Sequence, residues 1–216
     1  MSFNQISLRK IFMLISLLGI CALVALLELD TTYVGQFLIS RPLFVGSILG
    51  LITGNLFLGV QIGLFTELIY IDFLPIGGIV PPSGAITSAM ALMMKYSFNM
   101  DIYFAFFVGI LTGILFSFVE KKIRQSRSKI LPVVCKNLVD GKTTASSEML
   151  KSLGFEFMVI FTFLIMAIAL FGPLFNVIDD DIPEKLHSAF KFSYYAVPWI
   201  GICSLFSSFS TKPKAD

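Results

Sequence analysis

The sequence predicts an all-α integral membrane protein: a polytopic helical bundle with about six membrane-spanning helices, plus a re-entrant or broken-helix segment near residues 75–88. Three observations carry this. Only 14% of the 216 residues are charged, against about 25% in a soluble domain. Mean hydropathy is +0.87, and apolar stretches of about 20 residues recur along the whole length, each able to cross a hydrocarbon core about 30 Å thick. Polar residues collect in one long connection, 120–151. Residues 1–216 therefore read as a single transmembrane domain, and the 23 Phe residues as lipid contact and packing.

The first apolar run, Ile11–Leu29, follows Arg9-Lys10. It has the outline of a signal peptide, but no small-x-small cleavage site closes it. Ile20 also stands where a lipoprotein box needs a small residue, so the run reads as a retained first transmembrane helix. Asp30 either caps the next segment or pairs with Arg41. Arg41-Pro42 suits a helix start, with proline in the first turn and the arginine snorkelling to headgroups. Further apolar segments follow at about 42–57, 58–74, 82–97, 102–119, 153–175 and 190–209. Gly46, Gly50 and Gly54 lie four apart, as do Gly59 and Gly63, and Gly109 and Gly113. Small residues at this spacing let helices approach closely in lipid. The expectation is that the glycine face packs against a neighbour while Glu67, on the same face as Gly59 and Gly63, projects into a shared cavity.

Residues 75–88 break the helical pattern with Pro75, Pro81, Pro82, Gly77 and Gly78, while Ser83, Thr87 and Ser88 can satisfy freed backbone groups. Such backbone at membrane depth persists only when buried in protein or lining an aqueous cavity. The simpler reading is a turn between two ordinary helices.

Seven of the sixteen Lys and Arg residues fall within 121–142. The positive-inside rule places the 120–151 loop in the cytoplasm, the acidic Asp179–Glu184 stretch outside, and the C-terminus, with Lys212 and Lys214, inside again. Arg9 and Lys10 favour an inside N-terminus. Residue 30 is then expected outside and residue 120 inside, so an odd number of crossings separates them. Four apolar segments lie between, hence the re-entrant element. The loop also carries an apolar stripe, Ile130, Leu131, Val133, Val134, Leu138 and Val139, suited to lying on the membrane surface.

Cys21, Cys135 and Cys203 are too far apart for a metal or redox motif and read as free thiols. His187, beside Asp179-Asp180-Asp181, reads as a solvated loop histidine. No nucleotide-binding glycine loop and no HExxH is present. No cofactor, metal site, catalytic residue or nucleic-acid partner is expected, and the chain is not expected to be an enzyme by itself.

Glu67 stands apart. Apart from Asp72, it is the only charged residue between Arg41 and Lys95. A carboxylate in an apolar span is costly and marks a ligand, ion or proton path.

Several fragments over Leu29–Met90 carry a resemblance: Leu29-Asp30-Thr-Thr, Gln36-Phe-Leu-Ile-Ser40-Arg41-Pro42-Leu43, Gly50-Leu-Ile-Thr-Gly54-Asn55, Gly59-Val-Gln-Ile-Gly63, Glu67-Leu68, Leu74-Pro-Ile-Gly77-Gly78 and Val80-Pro81-Pro82. In this order and spacing they resemble the IIC membrane subunit of the mannose/fructose/sorbose family of the bacterial phosphoenolpyruvate-dependent sugar phosphotransferase system. The chain departs from the family pattern in having Asn55 after Gly54 and Ser83 after Pro82, where that pattern usually has Asp; hydrogen-bonding capacity is kept and charge is lost.

The resemblance implies a sugar-permease (IIC) domain in the bacterial cytoplasmic (inner) membrane. It implies a IID-type membrane partner and a hexose-like sugar that a cytoplasmic IIB subunit, itself phosphorylated by IIA, phosphorylates. A homo-oligomer within the complex is expected. Sugar hydroxyls leaving water each need a partner, and Glu67, Asn55, Gln61, Thr66 and Ser83 are the expected binding cluster. Asn55 has a second reading, as the cap of the following helix. Two other functions fit the same pattern of spans: a substrate-capturing subunit of an ATPase-driven vitamin transporter, and a non-transporting membrane assembly protein.

Overall fold

The computed structural model describes residues 3–31, 37–73, 80–139 and 145–210. They form α1 (Phe3–Glu28), a single 3-10 turn (Leu29–Thr31), α2 (Pro42–Ile52), α3 (Leu56–Ile69), α4 (Gly84–Phe98), α5 (Ile102–Val139), α6 (Ala145–Asp180) and α7 (Glu184–Ser210). Among the described residues the fold is entirely helical. Two stretches, Ile102–Ser128 and Met149–Asp179, are both long and apolar enough to cross a membrane by those criteria.

α4 is the axis of the bundle. It packs on α1, α2, α3, α5 and α6, and every residue from Ala85 to Met94 is buried. A helix apolar all round belongs in a protein interior. Small residues let its neighbours close in. A Cβ on Gly109 would stand 2.5 Å from the Thr87 carbonyl oxygen, and one on Gly113 would meet the Ser83 carbonyl oxygen at 2.8 Å. α4 ends at Asn99, which takes a left-handed conformation (φ 56°), a role asparagine tolerates better than most residues.

α2 and α3 form a tight hairpin. At about 1.5 Å per residue they are roughly 17 and 21 Å long, too short to cross alone. The turn falls at Gly54, whose φ of +78° is left-handed, and Asn55 caps α3 by accepting the Leu58 N–H at 3.1 Å. Arg41, at the start of α2, and Glu67, near the end of α3, lie together, so the hairpin enters and leaves at one end. The element that returns to its own side is therefore α2–α3. Of the segment expected to do so, 75–88, residues 75–79 lie outside the described residues and 84–88 are the first turns of the buried α4.

The glycine face has an intramolecular use. A Cβ on Gly50 would lie 2.9 Å from Gly59 Cα, and one on Gly63 would lie 2.5 Å from the Pro42 carbonyl oxygen. Gly46, Gly50, Gly59 and Gly63 thus pack α2 against α3. The neighbour expected for this face is found within the chain, in its own hairpin.

Two expectations about the ends of the bundle also change. Glu28, Asp30, Ser83 and Glu120 line one cavity, so residues 30 and 120 share an end, and the number of passes between them is even: α4 and α5, with the hairpin returning. Asp101, Asp179 and His187 meet at the other end. α1 packs along α4 with its C-terminus beside the start of α4. It therefore runs antiparallel to α4, beginning at the Asp101 end and not at the end of the basic segment. The basic segment itself is no loop. α5 continues to Val139 and α6 starts at Ala145, so both helices project past the apolar core. The 38 residues of α5 span about 57 Å, nearly twice a hydrocarbon core. Arg127 and the buried Glu156 tie the two projections together at 3.0 Å. The side chains of the apolar stripe 130–139, residues 140–144, and Lys212 and Lys214 lie outside the described set.

His187 is not a solvated loop residue. It stands in the first turns of α7, 3.0 Å from Asp101 Oδ2, with its ring edge-on to Tyr103. Cys21 is buried and Cys203 exposed, both as free thiols; the Cys135 side chain is outside the described set.

Candidate functional site

The base of the hairpin faces a cavity of about 780 Å³, within the range of small-molecule sites. Its polar wall comes from four places: Glu28 and Asp30 at the end of α1, Ser40 and Arg41 before α2, Glu67 and Tyr70 at the end of α3, and Ser83 at the start of α4. Glu120 and Arg124 of α5 complete the polar lining.

Backbone packing sets this geometry. Because Gly63 touches the backbone of Pro42 and Leu43, the residue one turn further along α3 comes level with the residue before Pro42. Glu67 Oε1 consequently accepts from Arg41 Nη1 at 3.2 Å. The ring of Pro42 also fills the space beside Gly84, which locks the hairpin base to the start of α4. The pair stays accessible, with 55% of the Arg41 side chain and 30% of the Glu67 side chain exposed.

Asp30 shapes the approach to Arg41. Its carboxylate accepts the N–H groups of Phe37 at 3.0 Å and Ile39 at 2.9 Å. Between them Leu38 has φ 65°, a left-handed conformation that costs a non-glycine residue of order 1–3 kcal/mol and persists only where neighbours impose it. Asp30 is buried and fully engaged, so it neither caps α2 nor pairs with Arg41.

Ser83 caps α4 by accepting the Ile86 N–H at 3.2 Å. Its single hydroxyl hydrogen goes to Glu28 Oε1 at 2.8 Å. Tyr70 reaches Thr87 at 3.0 Å through the two hydroxyls. Glu120 accepts from Arg124 Nε at 2.9 Å, one turn on.

Of the five expected binding residues, the structure brings Glu67 and Ser83 to this cavity. The other three lie elsewhere. Asn55 is exposed at the hairpin tip with its oxygen used as a cap, at the opposite end of α3 from Glu67. Thr66 is buried, its hydroxyl given to the Ile62 carbonyl at 2.8 Å. Gln61 is half-buried on α3 and does not line the cavity. Sequence reasoning missed Glu28, Tyr70, Glu120 and Arg124. Glu28 ends an apolar run, where an acid is ordinary, and Glu120–Arg124 has the four-residue spacing of a solvated helix pair. Nothing local marks either as facing a cavity.

Comparison with known proteins agrees with this architecture. A family model described as the sorbose-specific IIC component of the PTS system matches residues 12–214. N-acetylgalactosamine permease IIC component 1 of Escherichia coli (strain K12) is 30% identical over 102 residues, which is 47% of this chain and 38% of that permease. The match therefore spans well under two thirds of the relative. Among solved structures, a chain described only as a membrane protein superposes with a TM-score of 0.74 at 17% identity, covering 93% of this chain and 80% of that one. A chain of the mannose transporter ManYZ, seen by cryo-EM in complex with microcin E492, superposes with a TM-score of 0.62 at 17% identity, with the same coverage. At that identity the superpositions speak for the fold.

Proposed function

The chain belongs to the family of sorbose-specific IIC components of the phosphotransferase system, and on that premise we propose that it is the sugar-translocating membrane subunit of such an uptake system, with the cavity at the hairpin base as its sugar site. The observation that carries this reading is the cavity wall itself. Arg41, Glu67, Ser83 and Tyr70 line it together, and the accessible Arg41–Glu67 pair offers donors and an acceptor to a compact polyol, whose hydroxyls each need a partner once out of water. The substrate class is a hexose. The partners are a IID-type membrane subunit, which completes the pathway, and a phosphorylated IIB-type subunit, which modifies the sugar on arrival.

The test is reconstitution. Complexes containing this chain, a IID-type partner and a phosphorylated IIB-type subunit should take up a labelled hexose and deliver it as sugar phosphate. The chain alone should form none. Full-rate transport of unmodified sugar by the isolated chain in liposomes would replace this reading with a stand-alone carrier.

In the membrane, the basic ends of α5 and α6 lie in the cytoplasm by the positive-inside rule, and the cavity, lined by Glu120 and Arg124, lies toward that side. In a background with the native cysteines replaced, a cysteine at Ser128 should label only from the cytoplasm and one at Asp180 only from outside. The reverse pattern would invert the orientation.

A further inference from the structure

Four carboxylates line the cavity, and three have their charge answered. Both oxygens of Asp30 accept backbone N–H groups, Glu67 pairs with Arg41, and Glu120 pairs with Arg124. Glu28 differs. It is 9% exposed, and its one bond among the described residues is the neutral hydroxyl of Ser83 on Oε1. The other carboxylates that act on it, Glu120 and Glu156, are like-charged. Its Oε2 has no partner among the described residues, and Glu28 is part of the cavity lining.

A carboxyl buried without a cation or a full set of donors is costly, and the arrangement fits a group whose missing donors arrive with a ligand. Building on the sugar-transport reading above, we infer that Glu28 is a sugar-contacting, specificity-determining residue, its Oε2 accepting a hydroxyl of the bound hexose. Ser83 supports it from behind. The Ser83 oxygen accepts from the Ile86 N–H and its hydrogen goes to Oε1, so Oε2 is the oxygen left to accept from a ligand. Glu28 belongs to the central bundle and Glu67 to the hairpin, so one sugar would be held from both sides, and the two acids would read different hydroxyls.

The experiment uses the complete complex, with uptake kinetics for the best-transported hexose and a panel of its monodeoxy analogues. Glu28→Gln keeps the size of the side chain. It should leave the amount of protein in the membrane unchanged and raise the apparent KM for the parent sugar by about 10- to 100-fold, the range of a lost hydrogen bond to a charged acceptor. One monodeoxy analogue, poor for the wild type by a similar factor, should be handled by Glu28→Gln no worse than the parent sugar. Glu28→Asp, which keeps the carboxylate but shortens its reach, should restore part of the discrimination. Unchanged kinetics in Glu28→Gln would overturn the inference. So would an equal loss for the parent and every analogue, the signature of a purely structural role. Absence of hexose uptake by the wild-type complex would overturn the transport reading itself, and this inference with it.

Discussion

Gly59→Leu should abolish transport and strip the protein of most of its thermal stability in detergent. A Cβ at this position would come within 2.6 Å of Gly50 Cα and overlap the Gly46 carbonyl oxygen. Both neighbours are backbone, so no rotamer change can relieve the clash, and α2 and α3 must separate. Overpacking of this kind typically costs 1–3 kcal/mol and sometimes more. Here it also shifts Arg41 relative to Glu67, because the register of that pair depends on the same line of close contacts. Gly154→Ala provides the control: the space around Gly154 is open, and the substitution should be silent. The stability loss should appear in the chain expressed without any partner, because the glycines meet within one hairpin. If Gly59→Leu were stable alone and failed only on assembly with a partner, the glycine face would be an intermolecular surface after all.

The sequence made the helical membrane class readable because composition and apolar run length report directly on the solvent a chain must face. The helix start at Pro42 was legible for a local reason, the proline after Arg41. The extent of the long helices was not. Residues 120–129 and 145–152 are largely polar, and hydropathy treats polar helix and polar loop alike, so α5 and α6 running past the core were not distinguished from a loop. The four-residue glycine spacing predicted close helix contact but not its partner. Small residues at that spacing suit an intramolecular hairpin as well as an intermolecular seam. Within the site, Glu67 was conspicuous because an acid in an apolar run is costly wherever it lies. Glu28 was not, because an acid at the end of an apolar run ordinarily reaches water. Its burial arises from contacts far apart in sequence, with Ser83, 55 residues away, as its hydrogen-bond partner.

Glu67→Gln should lower kcat/KM for sugar uptake by about 10- to 100-fold, a loss of roughly 1.5–3 kcal/mol for hydrogen bonds to a charged group, while leaving the folded protein nearly as stable as before. The argument rests on exposure. An ion pair as open as Arg41–Glu67 contributes only about 0–1 kcal/mol to stability, so its position at the cavity calls for another account than holding the fold together. The pair holds each member in place: the guanidinium keeps Glu67 aimed, and the carboxylate keeps Arg41 turned inward from the turn at Leu38. A sugar entering the cavity can accept from one and donate to the other. Arg41→Gln should therefore impair uptake as well, and the double variant should lose less than the two single losses added together, since removing either partner already dismantles the arrangement. Uptake kinetics and thermal unfolding measured on the same four proteins decide the matter. Additive losses would mean that the residues act independently. Normal uptake by Glu67→Gln, with unchanged affinity, would remove Glu67 from the sugar path and reduce the pair to a surface contact at the hairpin base.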